Sequence, residues 1–252
     1  MSGQLRADRD AAPETDYTVV APPEASSILA IAAHPDDIES WCGGTLARAI
    51  DAGATVRLLL VTSGDKGSSD PAATPTAIGA IREREALAAA RELGLAEVGF
   101  LRHADGEVED SLALRGEIVA FIRRWRPIVL FTHDPVHPLP EYLCHRDHRM
   151  VGRATLDAVY PLARDRLVFP EHQGDGLRPH AVSELWLFAS AIAASFVDIS
   201  TGFDRKIAAR LAHQSQTSDA DALRAAWRRR AVDIGAPAHL PLAETFTTIR
   251  LA

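Results

Sequence analysis

The chain has 252 residues, of which 47% are hydrophobic and 24% are charged, and its formal net charge is −7. This composition is typical of a globular protein with a sizeable core, and it excludes disordered, collagenous and disulfide-rich classes. The acidic balance provides no broad positive field for phosphates, so we expect no nucleic-acid partner.

The N-terminal residues 1–27 have mixed charges and lack the apolar segment of a signal peptide or a membrane span. We expect an N-terminal extension over residues 1–27, with Pro22-Pro23 marking where the fold begins. Residues 28–252 are expected to form a single domain with a C-terminal elaboration.

Short aliphatic runs alternate with longer helical segments from residue 28 onward. The predicted strands are Ile28–Ala33, Thr55–Thr62, Val98–Leu101, Ile128–Thr132, Glu184–Ala189 and Phe196–Ile199. Most of these runs are nearly all apolar, which is expected when helices cover both faces of a sheet.

The predicted helices lie between these strands. They are Asp37–Asp51, Ala77–Leu93, Leu112–Trp125, Arg149–Val159 and Asp204–His213. The alternation predicts a Rossmann-like α/β fold: a doubly wound, mainly parallel sheet with helices on both faces. The tail from Ala236 has two interpretations, closure over the site or packing at a subunit interface, and the sequence leaves both open.

Polar residues collect after the strands, at the edge where such sheets bind ligands. The segments are His34 to Asp37 after the first strand, Ser63 to Ser69 after the second, His103 to Asp105 after the third and His133 to His148 after the fourth. The first turn is not Gly-rich, and its carboxylates would repel a pyrophosphate. A dinucleotide site is therefore not expected.

The segment A-H-P-D-D at residues 33–37 has two local interpretations. Asp36 and Asp37 can cap the following helix and complement its dipole. Alternatively, together with His34, they can bind a metal. Pro35 restricts His34 to extended geometry and fixes the turn. The local pattern alone does not decide between capping and ligation.

Four of the ten histidines, His133, His137, His145 and His148, lie in one stretch after the fourth strand. We expect His133 and His137 to be loop histidines and His148 to be a metal ligand. His34, Asp37 and His148 together would form a mixed nitrogen and oxygen set with open positions, which is typical of a catalytic zinc site.

Several motifs, in this order and spacing, resemble the PIG-L/LmbE-like N-deacetylases. They are A-H-P-D-D at 33–37, G-G-T-L-A at 43–47, V-T-S-G-D-K-G-S at 61–68, the helix from Arg82 to Gly94, Asp105-Gly106, H-R-D-H at 145–148, V-D-I-S at 197–200 and H-Q-S-Q at 213–216. The resemblance covers about Ile28 to Gln216 and implies the same Rossmann-like fold.

The resemblance implies a role for each matching residue. His34, Asp37 and His148 match the metal ligands, usually of Zn²⁺, with Fe²⁺ or another divalent metal as an alternative. Asp36 matches the general base that activates a water molecule. His145 matches the group that stabilises the oxyanion or protonates the leaving amine.

Three further residues complete the expected site. Arg82 matches an arginine that contacts the substrate's sugar or phosphate-bearing part. Some members have an oxyanion-binding tyrosine where Leu143 stands here, so Tyr142, one residue earlier, is only a candidate for substrate binding. Asp147 is expected either to orient a histidine from behind the ligands or to cap the helix that begins near His148.

The implied reaction is hydrolysis of an N-acetyl group from an N-acetylglucosamine-type conjugate, which releases acetate and a free amine. The alternatives are an amidase that cleaves a larger acyl group and a non-catalytic Rossmann-like binding module. The expected partner is a small amino-sugar conjugate, and the oligomeric state is left open, a homo-oligomer included. Cys42 and Cys144 form no C-x-x-C pair, so we expect no disulfide and a cytoplasmic location.

Overall fold

The computed structural model describes residues 17–24, 27–136 and 144–251. The strands of this part of the chain are β1 (Thr18–Val19), β2 (Ser27–Ala32), β3 (Thr55–Thr62), β4 (Glu97–His103), β5 (Val129–His133), β6 (Glu184–Phe188), β7 (Ser195–Asp198) and β8 (Ala243–Arg250). The helices are α1 (Asp37–Trp41), α2 (Gly43–Asp51), α3 (Pro75–Leu93), α4 (Leu112–Trp125), α5 (Arg146–Asp157), α6 (Phe203–Ala212) and α7 (Ala220–Gly235). None of these helices is long and apolar enough to cross a bilayer.

The strands form one sheet in the order β1-β7-β8-β6-β5-β2-β3-β4. Strands β4, β3, β2, β5 and β6 run parallel to one another, whereas β8 is antiparallel to both β6 and β7. The prediction of a mainly parallel α/β sheet is therefore confirmed. From β2 the chain continues to β3 and β4 on one side of the sheet, and it then returns to form β5 and β6 on the other side of β2. Doubly wound sheets bind ligands where the strand order reverses in this way.

Helices cover both faces of the sheet, as predicted. Alternate residues of β2 enter two separate cores: Ile28 and Ala30 face one, and Leu29 and Ile31 face the other. The first core is closed by residues of α1, α2, α3, α6 and α7, and the second by residues of α4 and α5. Because β2 is covered on both sides, its sequence is apolar from Ile28 to Ala32.

The C-terminal tail does not close over the site, which was one of the two interpretations left open by the sequence. It forms β8, which is inserted between β6 and β7. Phe246 is fully buried and packs edge-to-face against Phe131 of β5, with ring centroids 5.6 Å apart. A strand so rich in threonine gave no apolar run for the sequence pattern to detect.

The sheet also begins earlier than predicted. Thr18 and Val19 of β1 pair with Ser195 and Phe196 of β7, so part of the predicted extension belongs to the sheet. A two-residue strand is too short to show a period in the sequence.

The helix predicted over Asp37–Asp51 is two helices, α1 and α2, separated at Cys42. The break lets the N-terminus of α2 meet Glu244 of β8, whose carboxylate accepts hydrogen bonds from Gly44 N (3.0 Å) and Thr45 N (2.8 Å). Close packing also requires the glycine, because a Cβ on Gly44 would lie 2.7 Å from the Ile199 side chain.

Candidate active site

The candidate site lies at the carboxyl ends of the parallel strands. His34 follows β2, Asp105 follows β4 and His133 ends β5, while α5 brings His148 from the next segment of the chain. All four residues are buried, with exposed fractions of 8% or less. Polar groups buried together at the edge of an apolar sheet require partners.

Three of the predicted ligands converge on one point. His34 Nδ1 lies 3.2 Å from His148 Nε2, and His148 Nε2 lies 3.1 Å from Asp37 Oδ1. Asp37 Oδ2 lies 3.5 Å from His34 Nδ1 and also accepts a hydrogen bond from His34 N at 2.7 Å. The turn between β2 and α1 thereby directs the side chains of His34 and Asp37 toward the same point.

This arrangement fits a divalent metal. A tetrahedral zinc centre with bonds of about 2.0–2.1 Å places neighbouring ligand atoms roughly 3.3 Å apart. The three separations of 3.1–3.5 Å match that spacing, and the donor set of two imidazoles and one carboxylate is one that divalent metals favour. His34, Asp37 and His148 could therefore hold the ion and leave room for water and substrate.

The pKa values of the histidines in this cluster also favour a bound cation. Burial opposes protonation of His34, but the carboxylates of Asp105, Asp147 and Asp37 raise its pKa to about 11. Burial likewise opposes protonation of His148, and Asp37 raises its pKa to about 9. Protons on these imidazoles supply the positive charge that the carboxylates require, and a divalent ion can replace them.

Asp36 is directed away from this cluster. Its backbone has a left-handed φ of 90°, and its side chain makes no capping hydrogen bond to α1. Its carboxylate is 20% exposed and lies between Arg82 and Arg210. Burial and the neighbouring Asp37 raise its pKa, although both arginines oppose that shift. The capping interpretation therefore does not describe Asp36.

Two carboxylates hold the far side of His34. Its Nε2 lies 3.0 Å from Asp105 Oδ1 and 3.4 Å from Asp147 Oδ2. Asp147 is fully buried and also accepts a hydrogen bond from Gly106 N at 2.6 Å. An imidazole that donates through Nε2 presents Nδ1 as a lone pair, so this contact fixes the tautomer that a metal ligand needs. Asp147 orients His34, and the N-cap of α5 is His145.

His133 is part of the site and is not the loop histidine that the sequence predicted. It is the last residue of β5, and its ring stacks on His148 with centroids 4.1 Å apart. Its Nε2 lies 3.2 Å from both Asp37 Oδ2 and Ala33 N. Complete burial lowers the pKa of His133 to about 4, so it is a neutral support for Asp37.

His145 lies beside the ligands, at the mouth of the site. Its ring is perpendicular to that of His34, with centroids 4.6 Å apart, and the side chain is exposed. His145 Nδ1 accepts a hydrogen bond from Asp147 N at 3.2 Å, which leaves the proton of the neutral ring on Nε2. Burial and the positive charge on His34 lower its pKa. The neutral imidazole is therefore the form to expect near pH 7.

Arg82 has a different environment from the one expected for a substrate-binding residue. It is 5% exposed, and its guanidinium donates to Pro35 O (2.7 Å) and Gly64 O (3.0 Å). It also lies 3.4 Å from Asp36 Oδ1. Buried among these acceptors, Arg82 supports the turn that bears Asp36, and the geometry does not favour the predicted contact with substrate.

Two residues named from the sequence, Tyr142 and His137, lie outside the described residues. Three others, Asp105, His133 and Arg210, contact the site although the sequence assigned them no role in it. The signal for Asp105 and His133 was their position, since each follows or ends a strand at the same sheet edge as His34. Arg210 comes from α6 and had no comparable signal.

Comparisons with known proteins identify relatives of this chain. The profile of the family described as "PIG-L: GlcNAc-PI de-N-acetylase" matches residues 29–159. The diacetylchitobiose deacetylase of Thermococcus kodakarensis is 31% identical over 198 residues, which cover 77% of this chain and 71% of that protein. A probable N-acetyl-α-D-glucosaminyl L-malate deacetylase of Bacillus cereus is 29% identical over 75% of this chain and 83% of its own.

A solved structure extends the similarity to the whole fold. The N,N′-diacetylchitobiose deacetylase of Pyrococcus horikoshii, determined with the inhibitor MPG, superposes with a TM-score of 0.83 at 27% identity. The match covers 89% of this chain and 84% of that one. The similarity therefore includes the C-terminal part of the chain as well as residues 29–159.

Proposed function

Because the chain belongs to the PIG-L family of de-N-acetylases, we propose that it is a metal-dependent hydrolase that removes the N-acetyl group from an N-acetylglucosamine-type conjugate. The products would be acetate and a free amine. The observation that carries the proposal is the convergence of His34, Asp37 and His148 within 3.1–3.5 Å of one another, with Asp36 left outside the cluster.

We propose Zn²⁺ as the ion, because two imidazoles and one carboxylate with an open position are typical of catalytic zinc sites. Fe²⁺ is the alternative that the same donor set can accept. When bound, the metal supplies the Lewis acidity that activates a water molecule and polarises the acyl carbonyl.

The remaining residues divide the proton chemistry. Asp36 is free of the cluster, so its carboxylate can accept the proton of the attacking water and pass it toward the leaving nitrogen. The Nε2–H of His145 is a donor beside the ligands that can stabilise negative charge developing on the acyl oxygen. Asp147, Asp105 and His133 hold the ligand side chains in position.

The substrate class follows the relatives, which are deacetylases of diacetylchitobiose and of N-acetylglucosaminyl malate. Both substrates carry an acetamido group on a glucosamine ring, so we assign this chain the same reacting group. A reducing, cytoplasmic location is part of the proposal, since Cys42 and Cys144 are buried free thiols.

The test is acetate release from N-acetylglucosamine, N,N′-diacetylchitobiose and related conjugates by protein stripped with a chelator and reloaded with Zn²⁺ or Fe²⁺. We expect about one metal ion per chain and activity that returns only on reloading. His34→Ala and His148→Ala should lose both metal and activity, whereas His103→Ala, a histidine paired with Glu117 outside the cluster, should keep both.

Full metal retention in both ligand variants would remove the proposed site. Release of a larger acid, with no acetate from any conjugate, would instead favour the amidase. Metal binding without hydrolysis of any amide would favour the non-catalytic module.

A further inference from the structure

The carboxylate of Asp36 is held by two guanidinium groups, one at each oxygen. Oδ1 lies 3.4 Å from Arg82 Nη2, and Oδ2 lies 3.5 Å from Arg210 Nη2. Arg82 comes from α3 and Arg210 from α6, so helices far apart in sequence meet at this one side chain. An aspartate has two terminal rotations, and contacts at both oxygens restrict them.

Arg210 is itself tightly anchored. Its Nη1 donates to Thr217 Oγ1 at 2.7 Å, and its Nη2 donates to Gln216 O at 3.2 Å. Its guanidinium also lies over the ring of Trp227, 5.7 Å from the ring centroid. The side chain is 10% exposed. A planar group bound on several sides is pre-organised, so it can orient Asp36 at little entropic cost.

The segment that anchors Arg210 is itself hydrogen-bonded to α3 and to the loop after β3. Ser215 donates to Glu85 of α3 through its backbone N (2.7 Å) and its hydroxyl (2.6 Å). Gln216 Nε2 donates to Gly67 O, in the loop after β3, at 2.9 Å. The turn after α6 therefore connects Arg210 to α3, the helix that carries Arg82.

The backbone of Asp36 leaves its side chain without local support. The residue adopts a φ of 90°, a sparsely populated conformation for a non-glycine residue, and makes no cap to α1. Its orientation must then come from residues distant in sequence. Among the described ion pairs, Arg82 and Arg210 supply it.

We propose that Arg210 is a positioning residue for the reaction: it fixes the carboxylate of Asp36 in the orientation that accepts the proton of the attacking water. The inference rests on the proposed function and adds to it a residue beyond the family-matched segment 29–159. Arg210 acts through Asp36, and none of its described contacts is with His34, Asp37 or His148.

The test compares Arg210→Met, Arg210→Lys and Arg57→Met in metal-loaded enzyme acting on N,N′-diacetylchitobiose. Arg57, at the opposite end of β3, pairs with Glu97 at 3.6 Å and serves as the control for loss of an arginine ion pair. Each variant is measured for kcat, KM, bound metal per chain and Tm.

We expect Arg210→Met to lower kcat by about tenfold to a hundredfold, since small misplacements of a reacting group cost that much. KM and bound metal should stay within about twofold of wild type. Arg210→Lys should recover part of the loss, because an ammonium can pair with Asp36 but cannot also bind both Thr217 and Gln216. Arg57→Met should leave kcat unchanged.

Three results would overturn the inference. The first is a kcat of Arg210→Met equal to that of the wild type. The second is a decrease in kcat that is accompanied by an equal decrease in bound metal, or that Arg57→Met shows as well. The third is an Arg210→Lys variant as inactive as Arg210→Met at equal Tm. A wild type active on no conjugate would refute the proposed function itself, a failure distinct from these.

Discussion

Adjacent aspartates in one turn have separate environments. Asp37 is buried with His133 and His148, which hold the pKa of its carboxyl well below the usual range although burial opposes this. Asp36, turned away by its left-handed backbone, lies between two arginines. One carboxylate is suited to permanent ionisation as a ligand, and the other to accepting a proton. Pairs of carboxylates whose surroundings separate their roles are common at hydrolytic sites.

The pKa values of His34 and His148, the two proposed ligand histidines, predict proton release on metal binding. In the metal-free chain the pKa is about 11 for His34 and about 9 for His148, so both are protonated at pH 7. A metal needs a lone pair on each ring, so binding should release about two protons at pH 7. The apparent affinity should rise with pH by up to about a hundredfold per unit below pH 9 and by about tenfold per unit between pH 9 and 11, and it should level off only above that.

Calorimetric titration of the stripped protein with Zn²⁺, in buffers of different ionisation enthalpy, measures this proton count. His103→Gln is the matched control and should release the same number, because His103 pairs with Glu117 outside the cluster. Binding with no proton release would contradict the electrostatics described for His34 and His148.

Individual residues differed in how far the sequence revealed them. The motif order was enough to name His34, Asp37 and His148, which the structure brings together. His133 was assigned to a loop because the strand was predicted to end at Thr132, one residue short of its actual end. The contacts of Asp36 with Arg82 and Arg210 depend on how α3 and α6 pack, which no local pattern contains.

At the level of elements, the site depends on how closely α5 approaches β5. His133 ends β5, and His148 lies in the first turn of α5, so their stacking requires close contact between the two. Gly152 permits this, because a Cβ there would lie 2.6 Å from His133 O. Gly152 thus sets the distance between α5, which carries the proposed ligand His148, and β5, which carries His133.

We therefore predict that Gly152→Ala moves α5 away from the sheet. Overpacking of this kind costs about 1–3 kcal/mol of unfolding free energy, and displacement of His148 should weaken Zn²⁺ binding as well. Urea denaturation and metal titration measure the two effects. Gly79→Ala in α3 is the control, since its Cβ would meet only ordinary contacts at 3.4 Å. Equal behaviour of the two variants would show that the approach of α5 is not limiting.

Elements with strong periodicity were predicted to within a few residues, as β3 and α4 illustrate with identical bounds. The failures have physical causes. The break at Cys42 arises from contacts of α2 with β7 and β8, and β8 itself is a threonine-rich strand stabilised by its neighbours. Tertiary contacts of this kind outweigh local propensity.

At the scale of the whole molecule, the site joins both halves of the chain. The proposed ligands come from the family-matched residues 29–159, whereas Arg210 and its anchors belong to the C-terminal part. That part is secured by β8, whose Glu244 binds Lys206 of α6 at 2.5 Å as well as the N-terminus of α2. The elaboration predicted from the sequence is thus integral to the site.

Because the ion would link β2, α1 and α5, metal binding should stabilise the whole fold. At a free Zn²⁺ concentration a hundred times the Kd, the expected gain is about 2.7 kcal/mol. For a chain of this size that corresponds to a rise in Tm of roughly 5–10 °C. Differential scanning calorimetry with and without metal measures it, and His148→Ala should remove the shift. An equal shift in that variant would place the stabilising ion elsewhere.

In the proposed mechanism, three residues hold the metal while Asp36 moves the proton. The most direct test measures bound metal and acetate release on the same sample of Asp36→Asn, which keeps the shape of the side chain and removes its basicity. We expect about one metal ion per chain and a loss of roughly a hundredfold to ten-thousandfold in kcat. Near wild-type hydrolysis by the metal-loaded variant would contradict this mechanism.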